Sequence, residues 1–215
     1  MKKTGRYDTS GLIEAKFEPG SRGRVLKNLL GIKSRREMDQ LEAEAHGRAL
    51  KELLSIYDAT HRFTATDICK MHKIWLGRIY EWAGHYRQVM ISKDSFPFAA
   101  PAFIPQLMDE FERGPLRTYT PCHFTSLADV AKALAVVHTE LVLIHPFREG
   151  NGRVARMLSI IMALQAELPP LDFSIIRGKK RQEYFAAVQA GMSQDYEPME
   201  RIFRDVIRQT TRKIL

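Results

Sequence analysis

His145-Pro-Phe-Arg-Glu-Gly-Asn-Gly-Arg-Val-Ala-Arg156 separates two apolar runs, residues 127–144 and 154–166. The first predicts a long helix that stops before the His145-Pro146 step, because the residue preceding a proline is pushed out of the right-handed helical region. The second carries Met157, Leu158, Ile160, Ile161 and Leu164 at helical spacing. Two such helices joined by this loop predict the central hairpin of an α-bundle. The loop itself gathers polar chemistry. His145 can take a proton near neutral pH. Glu149 is a hard oxygen ligand, suited to Mg²⁺ that is itself bound to phosphates. Gly150-Asn151-Gly152 permits positive φ angles and can turn successive backbone N–H groups toward one point, an anion-binding nest. Arg153 and Arg156 lie three apart and share one face of the helix that follows. Their forked guanidiniums match phosphate oxygens in pairs, and an anion at that helix N-terminus gains from the macrodipole. Base, metal ligand, nest and two cations converge on one anionic ligand.

Outward from this hairpin the pattern remains helical. Met38, Leu41, Ala45, Ala49, Leu53 and Ile56 predict an amphipathic helix over 36–57. A second is predicted over 66–82, stopped by Gly84, and a short one over 24–30, ended by Gly31. Residues 89–91 and 95–98 form a hairpin candidate around Lys93-Asp94. Prolines 97, 101 and 105 exclude regular helix until 106–112, and the last helices are expected over 182–189 and 197–215. Residues 1–24 read as an arm with little periodicity, and no internal repeat occurs. The predicted fold is mainly α with one small hairpin.

The loop resembles the signature of the Fic family, His-X-Phe-X-Asp/Glu-Gly-Asn-Gly-Arg-X-X-Arg. It matches at His145, Phe147, Glu149, Gly150, Asn151, Gly152, Arg153 and Arg156. Trp82 to Arg87, continuing through Ile91-Ser92-Lys93 to Phe98, is similar to the family's segment leading into its β-hairpin flap. Leu168 to Asp172 with Arg181 to Ala187 is similar to the stretch after the signature helix. The resemblance covers residues 25–205, leaving the arm 1–24 and a C-terminal helix end 206–215. It implies a helical bundle with a hairpin flap, and protein adenylylation: AMP passes from ATP to a Ser, Thr or Tyr hydroxyl of a target protein. In that reading His145 is the base and Glu149 holds Mg²⁺. Gly150, Asn151, Gly152 and Arg153 hold α- and β-phosphate oxygens, Arg156 reaches the γ-phosphate, and Tyr184 borders the nucleoside. Ser92 and Lys93 in the flap touch the target, whose backbone is clamped as an added strand. Two alternatives stand beside it. Doc-type toxins share the fold but transfer the γ-phosphate, with departures at the acidic and Gly-Asn-Gly-Arg positions that Glu149 and Gly152-Arg153 do not show. The other is a non-catalytic nucleotide-binding or regulatory module, which an intact His145 argues against.

Family members are often restrained by a helix bearing Ser/Thr-X-X-X-Glu-Gly/Asn. Ser10 to Ala15 and Ser193 to Pro198 fit except at the last position. The spacing around Glu14 reads as coincidental, so inhibition is expected from a separate antitoxin-like chain or is absent. Among single residues, Phe147 reads as a plug, Arg148 as solvent-facing, His138 as structural and Glu140 as an arginine's partner. The other histidines lack zinc-ligand spacing.

Composition bounds the remainder. At 215 residues the chain fits one domain with a sizeable core, and 45% hydrophobic with 27% charged residues is ordinary for a globular protein. No apolar run is long enough to span a membrane, and the basic N-terminus lacks the apolar stretch of a secretory signal. Cys69 and Cys122 are expected as free thiols in a reducing cytoplasm, with delivery into another cell left open. The net charge of +8 is spread among acids, so nucleic acid is not expected as the main ligand, while positive potential suits a nucleotide.

Overall fold

Helix α5 (Leu127–Ile144) forms the axis around which the chain is arranged. Ser126 caps it by accepting from the Asp129 amide at 3.0 Å, which satisfies one orphan donor of the first turn. Apolar residues then surround the helix on all sides, and Val130, Leu134, Val137, Leu141 and Ile144 are all buried. A helix apolar all round must be packed all round. Helices α6 (Asn151–Gln165) and α8 (Glu197–Arg212) lie along it. Helices α3 (Ile104–Phe111) and α7 (Lys179–Ala190) cover its flanks, with α4 (Arg117–Tyr119) beside them. Helix α1 (Arg35–Ile56) pairs with α2 (Ala65–Leu76), which reaches α6. The hairpin consists of strands β1 (Ser92–Lys93) and β2 (Phe96–Pro97), with Ser92 opposite Pro97 and Lys93 opposite Phe96. The computed structural model describes residues 11–93 and 96–212; the expected hairpin tip at Asp94 and residues 1–10 and 213–215 of the two terminal segments lie outside these. The expected α-bundle with one small hairpin is what the chain forms.

Several boundaries differ from the sequence reading, each for a local reason. No helix forms over 24–30, because the Asn28 side chain takes over the turn. Its oxygen accepts from the amides of Leu30 and Ile32, and its nitrogen donates to the carbonyls of Leu26 and Ile32. Such side-chain bonds compete with the helical ladder. Helix α2 ends at Leu76 rather than Trp82. The chain then reverses until the Gly84 amide donates to His72 Nδ1 at 2.8 Å. Helix α3 begins at Ile104, with Pro105 in its first turn where a missing N–H costs nothing. Residues 16–28 are tied to themselves and to the bundle. The Lys27 amide donates to the Lys16 carbonyl at 2.9 Å, and the buried Glu18 carboxylate accepts from Lys27 Nζ at 3.1 Å.

The turn between α5 and α6 is the most constrained part of the fold. His145 ends α5 in the left-handed region (φ 53°), and Gly150 begins α6 with φ 86°. A Cβ at Gly150 would lie 2.6 Å from Trp75 Cζ3. Asn151 closes the loop, accepting from the Phe147 amide at 2.8 Å and donating to its carbonyl at 2.7 Å. Phe147 is fully buried and stacks on His72 with centroids 3.9 Å apart. Gly150→Ala meets both a left-handed backbone and the indole ring, and is expected to cost about 1–3 kcal/mol. Thermal unfolding should show Tm lowered by several degrees.

Candidate active site

Each sequence-predicted site residue lines one cleft of about 790 Å³ between the flap, the α5–α6 loop and α7. His145, Glu149, Gly150, Asn151, Gly152, Arg153, Arg156, Tyr184, Ser92 and Lys93 all lie on its walls. The volume is within the range of small-molecule sites. Lys93, Arg148, Arg153, Arg156, Arg177 and Arg181 line it together with Glu149. That excess of cations suits a ligand with several negative charges.

The imidazole of His145 is fixed from two sides. Its Nδ1 lies 3.1 Å from the Val142 carbonyl, and its ring stacks on Phe98 with centroids 3.7 Å apart. A carbonyl only accepts, so Nδ1 carries the proton and Nε2 keeps its lone pair. Burial is the main influence that pushes the imidazole down to about 4, so it is neutral at physiological pH. The neutral ring with an unprotonated Nε2 is the form a proton acceptor needs.

Glu149 is half-exposed at the cleft. Its carboxylate accepts from the Gly150 amide at 3.0 Å and lies 3.4 Å from Arg153 Nη2, while its carbonyl accepts from His72 Nε2 at 3.1 Å. Arg153 is anchored by the buried Glu42 at 2.7 Å and lies over the Trp75 ring. Glu42 also accepts from the Tyr80 hydroxyl at 2.8 Å, so this carboxylate holds the arginine in the cleft wall. Arg156 passes near the rings of Phe173 and Tyr184, and its Nε is buried with no hydrogen-bond partner among the described residues. An unpaired buried guanidinium N–H is costly, and an anion in the cleft would satisfy it.

Two side chains read as ligand-binding turn elsewhere. The Asn151 carboxamide is fully engaged with Phe147, so Asn151 meets the cleft through its backbone. With Gly152 it begins α6, where amides have no intrahelical acceptor. Tyr184 is buried, and its hydroxyl pairs with His138 Nε2 at 2.8 Å, while His138 Nδ1 meets Ser159 at 3.2 Å. Tyr184 therefore offers its ring to the cleft rather than its hydroxyl. Ser92 and Lys93 occupy β1, with the Lys93 ammonium over the Phe185 ring. Arg148 is not turned to solvent: it lines the cleft and donates from Nε to the Glu14 carbonyl at 2.9 Å.

Glu42, His72, Arg87, Arg177 and Arg181 were missed by sequence reasoning. Glu42 carries a signal in retrospect, since it follows Met38 by one helical turn and so shares the buried face of α1. Arg177 reads only as scattered charge, and Arg181 opens a stretch that resembles the family without a role of its own.

A family model described as the Fic/DOC family matches residues 62–163. Residues 62–163 thus form a Fic/DOC domain. Among curated relatives, the protein adenylyltransferase VbhT of Bartonella schoenbuchensis is 35% identical over 138 residues, 61% of this chain and 27% of that one. The protein adenylyltransferase Fic of Nematostella vectensis is 27% identical over 196 residues, 88% of this chain and 42% of that one. The chain thus spans well under half the length of these relatives. Among solved structures, the N-terminal Fic domain of a putative cell filamentation protein of Bartonella quintana, with bound ADP, is 25% identical with TM-score 0.70. It covers 89% of this chain and 94% of its own. BepC of Bartonella tribocorum with bound AMPPNP superposes with TM-score 0.70 at 23% identity, covering 90% and 96% of the two chains. No helix among the described residues is long and apolar enough to cross a membrane.

The arm's Glu14 is docked, but not on Arg156. Glu14 lies in a 3-10 turn over Ile13–Ala15, is buried, and accepts from the Gln88 amide at 2.6 Å. Ser10 of the brake-like spacing lies outside the described residues. Glu197 is exposed and pairs with Arg201 at 3.2 Å. Because Glu14 does not occupy Arg156, Glu14→Gly is expected to leave self-labelling from α-labelled ATP at or below wild type; a rise above about twofold would contradict this contact pattern.

The buried imidazoles set a pH dependence. Burial is the first cause holding His72 and His138 at about 3 and His145 at about 4. The unfolded chain, with ordinary imidazoles near 6.5, binds more protons in acid than the folded one. Stability is therefore complete above about pH 6.5 and is lost as pH falls through the window from about 6.5 toward 4. Denaturant melts between pH 7.5 and 4.5 check this, and a midpoint that rises on acidification contradicts it.

Proposed function

We propose that this chain transfers AMP from ATP to a hydroxyl on a target protein. The reading rests on one observation above all: a neutral histidine with an unprotonated Nε2, a carboxylate and several cations line the same cleft. The acceptor hydroxyl gives its proton to His145 Nε2 as its oxygen bonds to the α-phosphorus. The bond from that phosphorus to the bridging oxygen breaks, and pyrophosphate leaves. Amides at the start of α6 and Arg153 hold α- and β-phosphate oxygens, and Arg156 Nε receives the outer phosphate. Fixed donors aimed at developing charge are the main source of catalysis in such transfers. The negative charge of the polyphosphate raises the imidazole above its value in the free cleft and so strengthens the base.

Glu149 is the residue that would hold Mg²⁺. Among the described residues no group of three or more His, Cys, Asp or Glu is arranged as a metal cage. That donor set fits Mg²⁺ taken up with a nucleotide, which is commonly held by one or two carboxylates and substrate phosphates. When bound, the ion would neutralise charge on the leaving pyrophosphate. Ser92 and Lys93 on β1 offer a hairpin edge to which a target segment can add as a strand. The relatives named protein adenylyltransferase support the transfer, and the ADP- and AMPPNP-bound neighbours support an adenine nucleotide as donor. The resemblance to translocated effectors of Bartonella supports action inside another cell, while a cytoplasmic toxin restrained by a separate inhibitor chain agrees equally with the absence of Glu14 from Arg156.

Incubation of cell lysate with ATP labelled at the α- or γ-phosphate tests the reaction: α-label on protein is expected, and γ-label alone would move the assignment to phosphoryl transfer. His145→Ala should lower α-label transfer by at least about a hundredfold with ATP binding retained. Glu149→Ala should weaken activity and raise the Mg²⁺ concentration needed for half-maximal transfer. An unchanged Mg²⁺ requirement would remove Glu149 from that role.

A further inference from the structure

Arg87 is among the most deeply buried charges of the chain, at 1% exposure, and lies outside the signature loop. Each nitrogen of its guanidinium donates to a main-chain carbonyl, and the three carbonyls come from three segments. Nε donates to His145 at 2.7 Å, Nη1 to Val89 at 2.7 Å and Nη2 to Ala99 at 2.6 Å. Its own amide donates to the Pro146 carbonyl at 2.8 Å. Val89 lies on the leg entering the hairpin and Ala99 on the leg leaving it, so one planar group ties both legs to the residue that carries the base. A buried cation without such partners would be very costly, and the fork of a guanidinium suits several fixed acceptors where an ammonium does not.

The consequences for His145 follow from geometry. The His145 backbone is left-handed, an arrangement that costs a non-glycine residue free energy and persists only where surroundings impose it. The bond to its carbonyl is such a constraint. On the other side of the imidazole, Phe98 precedes Ala99 and stacks its ring on the base, while the Phe98 amide donates to the Ile91 carbonyl at 3.1 Å. The same guanidinium thus governs the backbone under the imidazole and the leg that carries the ring over it. Glu14 supplies nearby negative charge to Arg87 while its carboxylate accepts from the next amide, Gln88.

We infer that Arg87 is a positioning residue for the transfer reaction: by bonding the carbonyls of His145, Val89 and Ala99 together it sets the height of the flap above the base. Glu14 of the arm completes it as the counter-charge. The inference rests on the adenylyl-transfer reading of the cleft, so its test includes a measurement that does not use transfer.

Arg87→Lys keeps the charge but cannot hold three carbonyls in one plane. The expected result is a folded protein with KM for ATP within about twofold of wild type and kcat for α-label transfer lowered roughly a hundredfold, the cost of an ångström-scale misplacement. Hydrogen exchange at the Phe98 amide should accelerate about tenfold as the leg loosens. A kcat within about threefold of wild type overturns the inference, and so does a raised KM with unchanged kcat, which would make Arg87 a binding residue. If wild type labels no protein, the transfer reading fails by itself, and exchange at Phe98 alone decides whether Arg87 ties the flap to the loop. Should Arg87→Lys not fold, Glu14→Gln withdraws only the counter-charge: exchange at Phe98 should quicken about threefold, and unchanged exchange overturns the inference.

Discussion

The arrangement depends on a single loop that must leave a buried helix, expose a histidine, and begin another buried helix within six residues. Asn151 makes that possible by satisfying both backbone groups of Phe147. Phe147 then fills the core against His72, and His72 holds both Gly84 and the Glu149 carbonyl. Buried backbone polar groups must find partners, and here the partners come from α2 and from the loop itself. The same bonds that keep the loop folded aim His145 and Glu149 into the cleft. Stability and site geometry are therefore one problem in this part of the fold.

Charge in the cleft is managed rather than merely accumulated. Arg153 is compensated by Glu42 from α1, so it is held in place by an anion that the ligand does not supply. Arg156 has aromatic neighbours instead of a carboxylate, and its buried Nε awaits an acceptor. Arg87 is compensated by carbonyls. The three arginines are chemically alike, yet one is anchored, one is ready for an anion and one is structural. Their surroundings decide the difference, because a guanidinium keeps its charge in all of them.

The arm also changes meaning once its contacts are known. Glycines and weak periodicity around residues 11–24 suggest little structure in that segment. Yet Glu18 is buried against Lys27 and Asn28, and Glu14 reaches the base of the flap. Irregular backbone can be well ordered when side chains satisfy its amides. The spacing that resembles an inhibitory motif thus ends in a contact with Gln88, beside Arg87, and not with the second arginine of the signature.

The sequence by itself determined the α5–α6 hairpin, the mainly helical class and the polar loop between His145 and Arg156 that lines the cleft. Each of those follows from short-range rules: apolar periodicity, the His145-Pro146 break and the Gly-Asn-Gly turn. Helix ends were legible to within a few residues except at α2, which stops at Leu76 instead of Trp82, and the helix expected over 24–30 is replaced by bonds from the Asn28 side chain. Tertiary structure alone decided that Glu42 holds Arg153, that Tyr184 turns its hydroxyl to His138, and that Arg87 joins the flap to the base. These pairings span 111, 46 and 58 positions in the chain, respectively. Periodicity reports which face of an element is buried, but not which distant element it meets. That choice is made by packing, where a buried polar group must find a partner or the fold does not close.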